Sequence, residues 1–245
     1  MRWIYLSPHL DDAVLSAGGL IYDQSREGKE VEIWTIMCGF PASEDVSPFA
    51  QLLHQRWGMT SAEQVVRVRR AEDGQATGLV GATPVHFDFL DCIYRRGSGG
   101  NWLYTDIFLP PHEEEFKLPQ SIADTLAQRL RSEDQLVCQL GIGSHVDHVL
   151  VRQGAEKLRR QLIYLADIPY IFKYQVELDE KAKGLEVAYW PVSEEGLKVW
   201  KDAVEIYSSQ KGSLQDLMDG DDPLERRIDR YWSDHRRTIR TWSVL

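Results

Sequence analysis

The sequence predicts an α/β fold: a three-layer α/β/α, Rossmann-like arrangement on a mostly parallel sheet, with an irregular C-terminal extension. Three observations predict it. Short apolar, β-branched runs alternate with segments of helical period along most of the chain, which is the pattern of βαβ units. The run at 2–6, the helical segment at 12–24 and the run at 31–38 form one such unit, implying parallel pairing and a right-handed crossover. With 245 residues, 43% of them hydrophobic, the chain is long enough for one large core. Residues 1–210 are expected to form this domain, and 211–245 an extension packing on it.

The elements follow in order. Residues 2–6 read as a short buried strand, and the helix at 12–24 has Val14, Leu15, Gly18 and Ile21 at helical spacing. Gly28 suits the end of that helix. The second strand, 31–38, is β-branched and nearly continuous. Residues 39–59, punctuated by Pro41, Pro48 and Gly58, read as a long loop with at most a short helix, and such loops in compact domains are often functional. Residues 60–81 predict a helix. Thr60 or Ser61 can cap it, Glu63 or Gln64 lies three residues on as in a capping box, and Val65, Val68, Ala76 and Leu79 give an apolar stripe. Arg67, Arg69, Arg70 and Glu72, taken alone, read as its solvated face. A third strand covers 84–90. An Arg-, Gly- and aromatic-rich loop at 94–105 follows, then an irregular stretch through Pro110-Pro111 and residues 113–115. Pro119 opens a helix to 131. Residues 135–140 are the fourth strand, followed by a helix to about 162. Further strands are expected at 163–166 and 187–191, and a helix at 193–209. In 212–245, Arg226, Arg227, Arg230, Arg236, Arg237 and Arg240 stand among Tyr231, Trp232 and Trp242. Acidic residues alternate with them, so a helix packing back on the domain is preferred over a nucleic-acid surface.

The formal net charge of -10 argues against a non-specific nucleic-acid binder. No apolar run approaches a membrane span, and the N-terminus has no signal-peptide layout. A cytoplasmic protein is the expectation, without nucleic acid as partner and without a membrane span. Cys38, Cys92 and Cys138 are odd in number, far apart and without C-x-x-C spacing, so buried, inert thiols are expected.

Two short stretches carry the chemistry. Ser7-Pro8-His9-Leu10-Asp11-Asp12 sits where the first strand hands over to a helix, the edge at which open α/β sheets bind ligands. An Asp pair there is also ordinary helix capping. The second stretch changes that balance: His145-Val146-Asp147-His148 again lies between a strand and a helix. Three protein ligands and one open position describe a catalytic zinc site, and His9, Asp12 and His148 can supply the three. Asp11, His145 and Asp147 are then left for acid–base work. The other class of reading is a non-catalytic α/β module binding a nucleotide or sugar at the same edge. Neither G-x-G-x-x-G nor G-x-x-x-x-G-K-[ST] occurs at the first turn to support a phosphate loop.

Pro8-His9-Leu10-Asp11-Asp12 with Gly18-Gly19, together with His145-Val146-Asp147-His148, resembles the paired motifs of the LmbE-like, PIG-L family of zinc-dependent N-deacetylases. Softer similarity covers Arg69 to Glu72, the Asp91 turn, Asp167-Ile168-Pro169-Tyr170 and Tyr207-Ser208-Ser209-Gln210, so it spans roughly residues 2–210. The family's first motif usually ends in Glu, where this chain has Ala13. The resemblance implies a hydrolase that removes an N-acyl group, acetyl in the first instance, from a small-molecule amino sugar or sugar conjugate. It implies one metal, Zn2+ or another divalent ion, held by His9, Asp12 and His148. Asp11 would be the general base. His145 would be the second catalytic group, protonated to meet the oxyanion, with its pKa raised by pairing to Asp147. Arg69 and Asp91 match positions that contact the sugar.

Overall fold

The computed structural model describes residues 1–244; Leu245, the last residue of the expected extension, lies outside the described residues. Strand β1 (Arg2–Ser7) is buried throughout and leads into helix α1 (Asp12–Arg26), then strand β2 (Glu30–Thr35). The loop after β2 carries helix α2 (Pro48–Arg56), started by Ser47, whose side chain accepts from the Ala50 N–H at 2.9 Å. Helix α3 (Ala62–Leu79) begins at Ser61, whose Oγ accepts from Gln64 N–H at 3.1 Å. Gln64 Oε1 returns to the Thr60 N–H, so the capping box closes one residue early. Strand β3 (Thr83–His86), helix α4 (Leu118–Ala127), strand β4 (Gln135–Gln139), helix α5 (Val146–Lys157) and strand β5 (Leu162–Leu165) follow.

These five strands are parallel, in the spatial order β3-β2-β1-β4-β5. The chain winds one way from β1 to β3, returns to place β4 on the other side of β1, and winds the other way to β5. The point where winding reverses therefore lies between β1 and β4, and it opens a crevice at their carboxyl ends. The two histidine-bearing stretches leave those two strands, so the topology brings them together.

After β5 the expected strand at 187–191 and helix at 193–209 are present, and the departure from the sequence expectation lies in 211–245. Helix α6 (Gln175–Lys181), strand β6 (Glu186–Pro191) and helix α7 (Glu194–Ile206) precede helix α8 (Lys211–Asp216), helix α9 (Leu224–Asp234) and strand β7 (Thr238–Ser243). The stretch expected to be irregular thus forms two helices and a strand. Strand β7 runs antiparallel between β5 and β6, completing a seven-stranded sheet that is mostly parallel. The physical reason is pairing: β6 bonds to β7 and not to β5, so the sheet is continuous only through the C-terminal strand. Helix α9 buries Leu224, Ile228, Tyr231 and Trp232. All three cysteines are free and buried. Among the described residues, no helix is long and apolar enough to cross a membrane.

Gly18-Gly19 is explained by packing. Helix α7 lies across α1, and a Cβ on Gly18 would stand 2.5 Å from Trp200 Cδ1, while one on Gly19 would stand 2.7 Å from Val192 Cγ1. Trp200 is fully buried and its indole N–H donates to the Leu15 carbonyl at 3.1 Å, drawing α7 onto α1.

Candidate active site

The turn after β1 is built by Ser7. Its hydroxyl donates to the His9 carbonyl at 2.6 Å and accepts from Ala13 N–H at 3.0 Å, folding the chain sharply into α1. His9 N–H donates to Asp12 Oδ2 at 2.7 Å, which turns that carboxylate back over the loop. From β4, Gln139 donates to the Asp12 carbonyl and to Ser16, locking the second stretch beside the first.

His9 Nδ1 and His148 Nε2 both lie 3.3 Å from Asp12 Oδ2. Zinc with bonds near 2.1 Å and tetrahedral angles spaces its ligands by roughly that distance. The far nitrogen of each ring is occupied. His9 Nε2 meets Asp147 Oδ2 at 3.0 Å, and His148 Nδ1 meets Asp167 Oδ1 at 2.8 Å. Each carboxylate accepts a hydrogen bond from the far ring nitrogen, so the neutral ring presents its lone pair at the near nitrogen, as in carboxylate–histidine–metal arrangements. His148 Nε2 is buried and makes no hydrogen bond. This donor set, one carboxylate oxygen and two imidazole lone pairs, fits a divalent ion.

His145 stands close by, its ring 4.6 Å from His9 and 5.0 Å from His148, and the nitrogens of the three histidines could also gather about one ion. Its hydrogen bonding differs. His145 caps α5, and its Nδ1 accepts from Asp147 N–H at 3.1 Å. A neutral ring accepting at Nδ1 carries its proton at Nε2, where no lone pair is left for a metal. Burial, then His9 and His148, push the His145 pKa well below its usual value.

Here the structure corrects the sequence expectation. The Asp147 carboxylate is not hydrogen-bonded to His145, and the upward pull of its charge on the His145 pKa is outweighed by burial, His9 and His148. Asp147 is fully buried and its oxygens accept from Arg95 at 2.6 Å, from Cys92 N–H at 2.9 Å and from His9. Burial pushes the carboxyl up, but Arg95 and then His9 outweigh it and hold Asp147 well below the usual carboxylate range. Helix geometry is the reason: at the start of α5 it is the backbone N–H of Asp147 that reaches the His145 ring.

Asp11 is buried beside this trio, outside it. Burial, then the neighbouring Asp12 charge, raise its pKa to about 7, with Arg69 opposing. Arg69 approaches Asp11 at 3.6 Å and Asp91 at 3.7 Å, and its guanidinium lies 5.3 Å over the Trp57 ring. Asp91 also caps the 3-10 turn at Cys92–Tyr94, so its free oxygen is held at the cavity. Arg69 and Glu72, read from sequence as solvated, are buried. Glu72 accepts from Ser208 and Ser209, binding α3 to the segment after α7, whereas Arg67 and Arg70 keep exposed partners, Glu63 and Asp88.

His9, Asp11, Asp12, His145, Arg69 and Asp91 all line one cavity of about 220 Å³. Asp147 and His148 lie fully buried behind it. Sequence reasoning gave no role to Arg95, Asp167 or Tyr170. The Asp167–Tyr170 similarity marked two of them, and Tyr170 packs edge-on to His148 at 5.3 Å. Arg95 had no signal of its own, although a buried Asp147 demands a cation.

A model of the GlcNAc-PI de-N-acetylase family, PIG-L, matches residues 4–158. The 2'-N-acetylparomamine deacetylase of Niallia circulans is 26% identical over 223 residues, covering 81% of this chain and 79% of that protein. Among solved structures, a deacetylase–bog complex from the teicoplanin biosynthesis pathway superposes with a TM-score of 0.86 at 27% identity, covering 100% of this chain and 98% of that one. The zinc-inhibited form of teicoplanin deacetylase gives a TM-score of 0.86 at 26% identity, with the same coverage.

Proposed function

The chain belongs to the PIG-L family of de-N-acetylases, and from that premise we propose that it is a zinc-dependent hydrolase removing the N-acetyl group of an amino-sugar conjugate. The names of its relatives, which act on acetylparomamine and in teicoplanin biosynthesis, support the substrate class. One observation supports the metal reading: His9 Nδ1 and His148 Nε2, both buried, each stand 3.3 Å from the same Asp12 oxygen. In this reading His9, Asp12 and His148 hold the ion.

When bound, the ion supplies a Lewis acid that polarises the acyl oxygen and makes a neighbouring water more acidic. Asp11 takes the proton of the attacking water. Burial raises the Asp11 pKa and neighbouring positive charge, Arg69 among it, opposes that rise, so the carboxylate is ionised and able to accept the proton. The neutral His145 donates Nε2–H to the developing oxyanion, acting as a hydrogen-bond donor rather than as a cation. Because its single proton is committed there, Asp11 returns the captured proton to the leaving amine. Asp147 is a positioning residue: its carboxylate orients His9, and its backbone N–H orients His145. Arg69 and Asp91 offer donors and an acceptor for sugar hydroxyls.

Purified protein assayed for metal content and for amine release from N-acetylated glycosides tests this. Asp11→Asn is expected to keep stoichiometric zinc and lose on the order of 10²–10⁴-fold in kcat. His148→Ala is expected to lose the metal. Undiminished turnover in the first variant, or retained zinc in the second, would overturn the assignment.

A further inference from the structure

The cavity has two unlike walls. One carries the carboxylates, histidines and Arg69. The other is mostly apolar, with Arg56, Gln210, Ser213 and Asp216 as its polar members. Phe49, Leu53 and Trp57 stand four residues apart on one stripe of α2 and its cap, and Leu214 and Leu217 face them from α8 and its cap. The two helices are joined across the mouth: Trp57 Nε1–H donates to Ser213 Oγ at 2.9 Å, and Arg56 pairs with Asp216. Sugar hydroxyls laid against its five apolar side chains would lose water without gaining partners there.

We infer that this wall receives an apolar aglycone, an alkyl or aryl group joined to the sugar whose amine is deacylated. The inference rests on the de-N-acetylation reading and deepens it. Position decides between aglycone and acyl chain. The wall meets the polar site at Trp57, whose ring carries Arg69, and Arg69 adjoins Asp91. That is the side proposed for sugar hydroxyls. The other side, around His145, where the acyl group is processed, is bounded by Phe108 and Tyr170, with rings 6.5 and 6.4 Å from the imidazole. A group lying on α2 and α8 is therefore reached through the sugar.

Binding of methyl, butyl and hexyl glucosaminides to the zinc-loaded protein, followed by calorimetry, reads the wall without turnover. A fully buried methylene is worth about fourfold in affinity, so a rise of at least ~10-fold from methyl to hexyl is expected. Combined Leu53→Asn and Leu217→Asn should flatten the series. Leu52→Asn on the same helix should keep it, since Leu52 is 63% exposed. A flat series in the unaltered protein, or a slope surviving the double substitution, would overturn the inference. So would a series of N-acyl methyl glucosaminides, lengthened at the acyl chain instead, whose affinity rises and whose rise the double substitution removes. Turnover of the matching N-acetyl glycosides is read separately. A binding slope without hydrolysis would leave the aglycone wall standing and sink the de-N-acetylation reading.

Discussion

His148 does different work at its two nitrogens. Nδ1 is held by Asp167 at 2.8 Å, while Nε2 faces Asp12 at 3.3 Å. Burial alone would lower its pKa, but Asp12 and Asp167 outweigh burial and raise it to about 9; His9 is likewise raised well above its usual value. A metal can use these rings only after displacing their protons. The sign follows: below about pH 9 the metal-free site is protonated, so zinc affinity should rise as pH rises. At least about tenfold per pH unit is expected through the neutral range, steeper if both rings release a proton, and levelling above the His148 pKa. Chelator competition at several pH values measures it, and a pH-independent affinity would refute the ligand set. At this scale the sequence was legible wherever residue type and spacing coincide, as in His9-x-Asp11-Asp12 and His145-x-x-His148. It was silent on hydrogen-bond direction. Nothing in the letters distinguishes a His145 bonded to the Asp147 carboxylate from one bonded to its amide.

Helix α1 is where element packing controls the site, since its first turn carries Asp12 and its second bears on α7. Glycines in a helix interior ordinarily cost up to about 1 kcal/mol each relative to alanine. Here the cost is accepted because Trp200 fills the space a Cβ would need. Gly18→Ala gains that propensity term but forces a methyl to within 2.5 Å of a buried indole that is hydrogen-bonded to Leu15 and has little freedom to move. Overpacking of this kind costs about 1–3 kcal/mol, so the net effect is a loss. Denaturant unfolding should show a lower midpoint for Gly18→Ala, and the loss should shrink in a Trp200→Leu background, where the space reopens. Equal cost in both backgrounds would show that Trp200 is not the cause. The glycine pair was visible in the sequence, and its partner was not. Helical period shows which face of α1 is apolar, but not which of several later helices crosses it.

Over the whole molecule, the parallel half of the sheet was readable because each βαβ unit is local. The C-terminal strand was not. Its partners β5 and β6 lie far away in sequence, and a short run such as Thr238–Ser243, with arginine and serine in it, has no period that separates strand from loop. This bears on how the chain folds. Deleting residues 211–245 would strip β6 of its pairing and expose the edge of β5. It would also remove the buried side chains of Ile228, Tyr231, Trp232, Ile239 and Trp242. Each such side chain is worth about 1.5–3 kcal/mol. Together they rival the roughly 5–15 kcal/mol by which a typical domain is stable. Residues 1–210 alone are therefore expected not to fold cooperatively, although they contain every proposed ligand and catalytic group. Thermal unfolding of the truncated chain, followed by near-ultraviolet circular dichroism, measures this. A sharp transition close to that of the full chain would mean that the sheet closes without β7, and that the C-terminal stretch is an appendage rather than part of the core that holds His9 beside His148.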